Sequence, residues 1–327
     1  MATQADPQPI SRVGSRGVSR VLAKLRASTE AGNFYEAHQM YRTLHFRFVS
    51  QERYEDLLDL LYDGAMTMVV HEQYSIGADL GLMIISTLDV APLSKPKQQS
   101  WVKKVADLLG KIKPTVVERE ALLEKAIKWS GKNANNELDT LMHRLVAQMM
   151  YREGNLAQAR YHFLHSQDGK SSAFLLIEMS TTKGFPGEVD LFVALFVLGQ
   201  LCLGAVEAAR DTFATYCQFH PAIACSGAPY PLPLLNFLWI LLQLVKPRAG
   251  HVNIAAFRWI CDLYKPSILR DPVYKQYMQK IHRRYFYGGR PEASPYAFFD
   301  FMQQLMIDRD LDFLVDEDEH DEADEVE

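Results

Sequence analysis

The chain has 327 residues, 48% of them hydrophobic, and a formal net charge of −5, which is enough apolar material for a substantial core and excludes a disordered protein. The charge is uneven: nine acids crowd the last twelve residues, and setting those nine negative charges aside turns −5 into +4 for the rest. Four cysteines, Cys202, Cys217, Cys225 and Cys261, form no C-x-x-C pair and are too few to staple a chain this size, so reduced core thiols are expected.

Residues 1–16 lack the apolar stretch of a secretory signal and are expected to be disordered, with the cytosol as the default location. A basic cluster follows at Arg12, Arg16, Arg20, Lys24 and Arg26. The first structural signal is a repeat. In "EAGNFYEAHQMY", Gly32, Phe34, Ala37 and Tyr41 stand at the same offsets as Gly154, Leu156, Ala159 and Phe163 in "REGNLAQARYHF" and as Gly204, Val206, Ala209 and Phe213 in "GAVEAARDTF". Weaker echoes start at Glu52 and Glu72, so the starts at 32, 52 and 72 are spaced by one helix of four to five turns plus its connection. The glycine is suited to ending one helix in the left-handed conformation, and Asn33 or Asn155 to capping the next. The alanine lets two backbones approach. Phe34, Ala37, Tyr41, Leu44 and Phe48 step by three and four, which is one buried helical stripe.

The same periodicity predicts helices over 17–31, 33–50, 52–70, 74–89, 97–112, 116–130, 136–153, 155–167, 171–183, 187–203, 205–219, 233–245, 251–264, 272–287 and 295–311, and no strand ladder. The fold class is therefore all-α, a stack of helices. The longest apolar runs, from Leu191 and from Leu234, fall short of the roughly 18 residues that span a bilayer and read as buried helices. One connection differs: "HPAIACSGAPYPLP", His220 to Pro233, carries four prolines and is too long for a turn. A short hairpin or extended arm is expected there. Exposed, its Ile223, Tyr230 and Leu232 would form a docking surface; folded back, they would cover the chain's own core. The acidic tail, 312–327, is expected to be disordered, aiding solubility or modulating a basic partner.

Chemistry-bearing motifs are weak. A single glycine ahead of a helix is neither a P-loop nor a dinucleotide fingerprint. His162 and His165, with Asp168 beyond, have a spacing that can ligate a metal, yet without a second cluster they read as buried histidines bonded to backbone carbonyls. No nucleophile sits on a strand-to-helix elbow, and "KIHRRYFYGGR" keeps its aromatics on one stripe and most of its cations on other faces, which argues against nucleic-acid binding. A stacked-helix array without a catalytic constellation is a binding surface.

Longer strings carry a resemblance: "KLRASTEAGNFYEAHQMYRTLHFRFVSQ" (24–51), "KAIKWS" (125–130), "ARYHFLHSQDG" (159–169), "PLLNFLWILL" (233–242) and "DPVYKQYMQKI" (271–281). In these strings and in their order the chain resembles the Get-four family of the guided-entry pathway for tail-anchored proteins. The resemblance implies a right-handed α-solenoid of tetratricopeptide-like helix pairs in the cytosol, over 17–311, with no cofactor and no catalytic residues. It further implies that an N-terminal half, 17–153, docks the targeting ATPase, the Get-three protein. A C-terminal half, 154–311, would hold a second subunit, either the ubiquitin-like Get-five protein or the C-terminal region of the chaperone Bag-six. Lys24, Arg42 and Arg47 are the residues expected on the ATPase face, and Ile223, Tyr230, Leu232 and Phe286 on the stable-subunit face. Neither nucleic acid nor direct membrane insertion is implied. The competing assignment is a generic tetratricopeptide peptide clamp, which would need Lys, Asn and Arg at repeating concave positions; no such set repeats.

Overall fold

The computed structural model describes residues 12–132, 137–245 and 254–286, and among these every regular element is a helix. In order they are α1 (Arg12–Glu30), α2 (Phe34–Ser50), α3 (Tyr54–Val70), α4 (Tyr74–Val90), α5 (Lys95–Lys111), α6 (Val117–Ser130), α7 (Glu137–Arg152), α8 (Leu156–His165), α9 (Gly169–Lys183), α10 (Val189–Leu203), α11 (Val206–Phe219), α12 (Pro233–Leu244), α13 (Ile254–Leu263), α14 (Lys265–Ile268) and α15 (Pro272–Ile281). A 3-10 turn at Pro186–Glu188 leads into α10, and α15 continues as a π-helical turn over His282–Phe286. The expected helix at 295–311 and the acidic tail lie outside the described residues. Helix α1 starts at Arg12, inside the stretch expected to be disordered. Its Gly14 and Gly17 each cost only about 1 kcal/mol against alanine, which a nineteen-residue helix can absorb.

The repeat is a backbone device. Gly32, Gly154 and Gly204 have φ of 76°, 77° and 85°, and Glu52 and Glu72, which begin the weaker echoes, sit in the same left-handed region at 55° and 59°. At all five joints the next amide reaches back five residues: Asn33 to Ser28, Arg53 to Phe48, Gln73 to Met68, Asn155 to Met150 and Ala205 to Gln200, at 2.8–3.0 Å. This bond closes the end of one helix and sets the angle of the next. The asparagine cap is formed at one joint only: Asn155 Oδ1 accepts from the Gln158 amide at 3.2 Å, whereas Asn33 makes no side-chain cap. Arginine, glutamine and alanine hold the same backbone angles at the sister joints, so the joint does not depend on the amide side chain.

The chain divides between Met179 and Ser180 into two compact units. The first is a two-layer stack of helix pairs, with α2, α4 and α6 neighbouring one another in one layer and α3, α5 and α7 in the other. Ala37, Leu44, Leu57, Leu61, Ala65 and Ile84 are fully buried along its seam, and Tyr41 lies on Gly64 so closely that a Cβ there would run into its ring. The halves expected from sequence separate at 153/154, but that point falls inside the hairpin of α7 and α8, whose buried faces pack on each other; α8 belongs to the first unit. The second unit is built around α10, which packs on α11, α12 and α15. The 18-residue segment Pro186–Leu203 has a mean hydropathy of 1.6, long and apolar enough to cross a membrane by length and composition, yet 56% of it is buried inside the protein, as befits a central core helix.

Candidate partner-binding faces

The first face lies on α2. Its buried stripe runs through Ala37, Tyr41, Leu44 and Phe48, and at 100° per residue the opposite arc carries Tyr35, Gln39, Arg42, Thr43, Phe46 and Arg47, all exposed. Tyr35 is 76% exposed and Phe46 73%. Large aromatics left in water on a helix that already has a buried face are unusual enough to mark a contact surface. Arg42 and Arg47 flank this strip, roughly 140° apart around the helix axis. Arg42 leans toward α4, its Nε 3.9 Å from Asp79 Oδ2, but that carboxylate is already engaged by His38 Nε2 at 2.7 Å. The guanidinium therefore stays half exposed and weakly committed. Arg47, in the last turn, has no ion pair among the described residues. Lys24 comes from α1 and is held by Glu36, 2.7 Å away, which also accepts from Ser28 Oγ at 3.2 Å. These bonds hold the Glu36 carboxyl below its usual range. Lys24 is thus the most self-satisfied of the three expected cations. Tyr35 and Phe46 were missed by the sequence reading, although counting off the buried stripe at 3.6 residues per turn would have placed both outside.

The second face was expected on the arm after His220. The structure folds the arm back: residues 220–232 form neither a hairpin nor an exposed strand. Ile223 and Tyr230 are 9% and 7% exposed, Leu232 is half-buried and Phe286 is buried. Asn236 on α12 pins the arm, its Oδ1 accepting from the Tyr230 amide and its Nδ2 donating to the Tyr230 carbonyl, both at 2.8 Å. The Tyr230 ring meets Phe213 edge-on at 5.3 Å. The covering alternative therefore holds for Ile223 and Tyr230, because a 13-residue loop this apolar loses less by packing on α11 and α12 than by standing in water. Phe286 stacks on Phe257 of α13 at 4.5 Å. What α13 does leave exposed is Trp259 and Leu263, one turn apart, with Leu269 following α14. These were not singled out from sequence; the signal was again a registry, since Phe257 and Ile260 define the buried side of α13.

The histidines are not bonded to carbonyls as expected. His162 Nδ1 lies 2.9 Å from Nδ1 of His143 on α7, and His165 stacks on the His143 ring at 5.0 Å. In an antiparallel helix hairpin residues equidistant from the turn face each other, and His143 and His165 each stand eleven residues from Gly154, so the partner was legible once the joint was placed. Burial pushes the His162 imidazole down to about 3 and His165 to about 4, with the neighbouring His165 adding to the first; burial and both neighbours hold His143 well below its ordinary value. The rings are neutral at pH 7. Asp168 is used elsewhere, capping α9 through the Ser171 amide at 3.1 Å and Ser171 Oγ at 2.8 Å. Among the described residues no group of three or more His, Cys, Asp or Glu is placed to hold a metal ion.

Stacked helix pairs with exposed aromatic and cationic strips define a helical scaffold that works through its surfaces. Comparison with known proteins narrows the class. Residues 51–306 match the family model described as Golgi to ER traffic protein 4. A Golgi to ER traffic protein 4 homolog from Homo sapiens is 39% identical over 293 residues, covering 89% of this chain and 88% of its own. The Xenopus tropicalis homolog is 39% identical over 281 residues, covering 86% and 84%. The crystal structure of C. therm. Get4 superposes with a TM-score of 0.70 at 22% identity, over 88% of this chain and 95% of that one, and so shares the all-α solenoid fold. The chain belongs to the Golgi to ER traffic protein 4 family, which is named for a traffic factor. Helices α1 and α2, with the first face, precede the residues that the family model matches.

Proposed function

We propose that the chain is a non-enzymatic cytosolic adaptor that hands newly made tail-anchored membrane proteins toward the endoplasmic reticulum. Its first unit receives a Get-three-type targeting ATPase on α2. Its second unit holds a Get-five-type ubiquitin-like protein or a Bag-six C-terminal region. The observation that carries this reading is the α2 strip, with Tyr35 and Phe46 unburied between Arg42 and Arg47. Cations at the edge steer a reversible, salt-sensitive encounter, and the aromatics supply anchoring area once the partner has docked. Lys24, already paired with Glu36, contributes less. On the second unit Trp259 and Leu263 fit the more apolar contact of a permanent subunit. Leu232 lies at the border of that unit's surface, while Ile223, Tyr230 and Phe286 act from beneath by holding the arm and α13 in place.

The test is capture by the purified full chain. Charge reversal at Arg42 and Arg47 together is expected to weaken ATPase binding at least tenfold and to flatten its salt dependence, with the stable subunit retained; Phe46→Ala should cost a further tenfold. Unchanged ATPase capture would overturn the assignment of α2. Competition by a chaperone's C-terminal peptide in place of the ATPase would instead favour the peptide-clamp class.

A further inference from the structure

All four cysteines are free thiols, and two of them meet across the arm. Cys217 is buried on α11; Cys225, in the arm, is partly exposed. The Cys225 amide donates to the Cys217 carbonyl at 3.0 Å. A backbone hydrogen bond of that length holds two α-carbons roughly 5 to 7 Å apart, which overlaps the range a disulfide spans. Ala224 just ahead sits at φ 42°, so the chain turns sharply as it brings Cys225 back to α11. The side chains share surroundings as well as backbone. Burial, with the Cys225 thiol adding to it, pushes the Cys217 thiol up to about 12, and the Tyr230 phenol is raised to about 12 by burial and by the two thiols beside it. The Cys225 thiol donates outward to the Gly227 carbonyl at 2.9 Å.

We propose that Cys217 and Cys225 form a modification site, an oxidisable dithiol that a peroxide closes into a disulfide tying the arm to α11. The asymmetry of exposure sets the order of events. Cys225, the accessible sulfur, attacks one peroxide oxygen as its thiolate; the O–O bond breaks, leaving a sulfenic acid and, after proton uptake, water. The Cys217 sulfur then gives up its proton and attacks the sulfenic sulfur. The S–O bond breaks, a second water leaves and the S–S bond forms. Two thiols have been oxidised and one peroxide reduced to two waters. The high ionisation range of Cys217 makes the second step the slower one. Held until then by Asn236 and by backbone bonds, the arm becomes covalently fixed at its start.

The experiment treats the folded full chain with a few equivalents of hydrogen peroxide at pH 8, blocks remaining thiols with iodoacetamide and digests with chymotrypsin, which cuts after Phe219 and separates the two cysteines. The expected result is a fragment bearing Cys217 linked to one bearing Cys225, released by reductant and at least tenfold more abundant than any link to Cys202 or Cys261. In Cys217→Ala the same treatment should leave Cys225 as a sulfenic acid that dimedone traps. Recovery of alkylated Cys225, of Cys225 sulfinic acid beside an alkylated Cys217, or of the link only from urea-unfolded chain would overturn the proposal.

Discussion

Acid should loosen the first unit through its buried histidines, and the size of the effect follows from the α7–α8 packing. His143, His162 and His165 face one another with Tyr161 from α8, and Asp139 on α7 lies 3.7 Å from His143 Nε2 while accepting from Ser130 of α6 at 3.4 Å. Between the two Nδ1 atoms there is room for one proton: one ring donates, the other accepts, and a second proton would set two N–H groups against each other. Each imidazole that is neutral when folded takes up a proton near pH 6.5 once unfolded. Above that pH neither state is protonated and the effect is absent. As the pH falls from 6.5 the unfolded chain binds protons that the folded chain refuses, and stability declines by about 1.4 kcal/mol per pH unit per histidine. For His165, whose folded range reaches down to about 4, the loss at pH 4 is roughly 3 kcal/mol. His162 continues to lose to about pH 3. Asp139 works in the opposite direction, because burial raises its carboxyl and the folded state takes that proton first. Two histidines losing about 3 kcal/mol each by pH 4 would remove much of the 5–15 kcal/mol that holds a typical domain.

The assay is urea unfolding of the full chain between pH 7 and pH 4.5, followed by circular dichroism, beside the His165→Gln variant. The native chain's midpoint should fall steadily below pH 6.5, and the variant's should fall less steeply because one titrating ring is gone. His45 and His220, whose ranges burial also lowers, supply the residual slope. A midpoint independent of pH over this range, or a variant as acid-labile as the parent, would refute the reasoning.

Three further outcomes rest on backbone and ion-pair geometry. Glu52→Gly should raise the thermal midpoint by a few degrees: it relieves about 1–2 kcal/mol of left-handed strain and gives back about 0.5–1 in unfolded-state entropy. Gly204→Ala should cost more than Gly154→Ala in the same scan, since both lose the left-handed glycine but only at 204 would the new Cβ run into the Arg284 guanidinium. Arg270→Ala should cost about 3–5 kcal/mol by urea titration, because it strands the fully buried Asp190 carboxylate, whose Oδ2 takes a 2.6 Å bond from Arg270 and whose Oδ1 has no hydrogen-bond partner. Arg270→Lys should recover part of that loss.

Much of the helical order was legible because it is governed by local rules. A period of 3.6 marks the buried stripe of α2, and the glycine spacing marks three of the joints; Glu52 and Glu72 occupy the same left-handed position as those glycines, which is why a side chain with no intrinsic preference for it still echoed the repeat. What composition obscured was continuity: Gly14 and Gly17 read as breakers, yet α1 passes through both. The boundary between units was illegible for a different reason. It depends on which helices share a core, and nothing in the α8 sequence says that its buried His162 and Phe163 belong with α7 rather than with the helices C-terminal to them.

The faces were less legible than the fold, and the physical cause is the same in both units. Periodicity identifies the residues a helix must bury, and charge identifies those it must expose, but an aromatic off the buried stripe satisfies neither rule. Arg42 and Arg47 were found as cations; Phe46, between them on the exposed arc and almost as open to solvent as Tyr35, was not, because its hydrophobicity alone suggested a core residue. The arm shows the converse. Ile223 and Tyr230 sit among prolines in a segment with no period, so their apolar character was open to either reading, and the deciding bonds come from Asn236, a polar residue inside the apolar run of α12. A side-chain amide that satisfies both the amide and the carbonyl of Tyr230 removes the cost of burying that backbone, and with it the reason for the arm to remain in water.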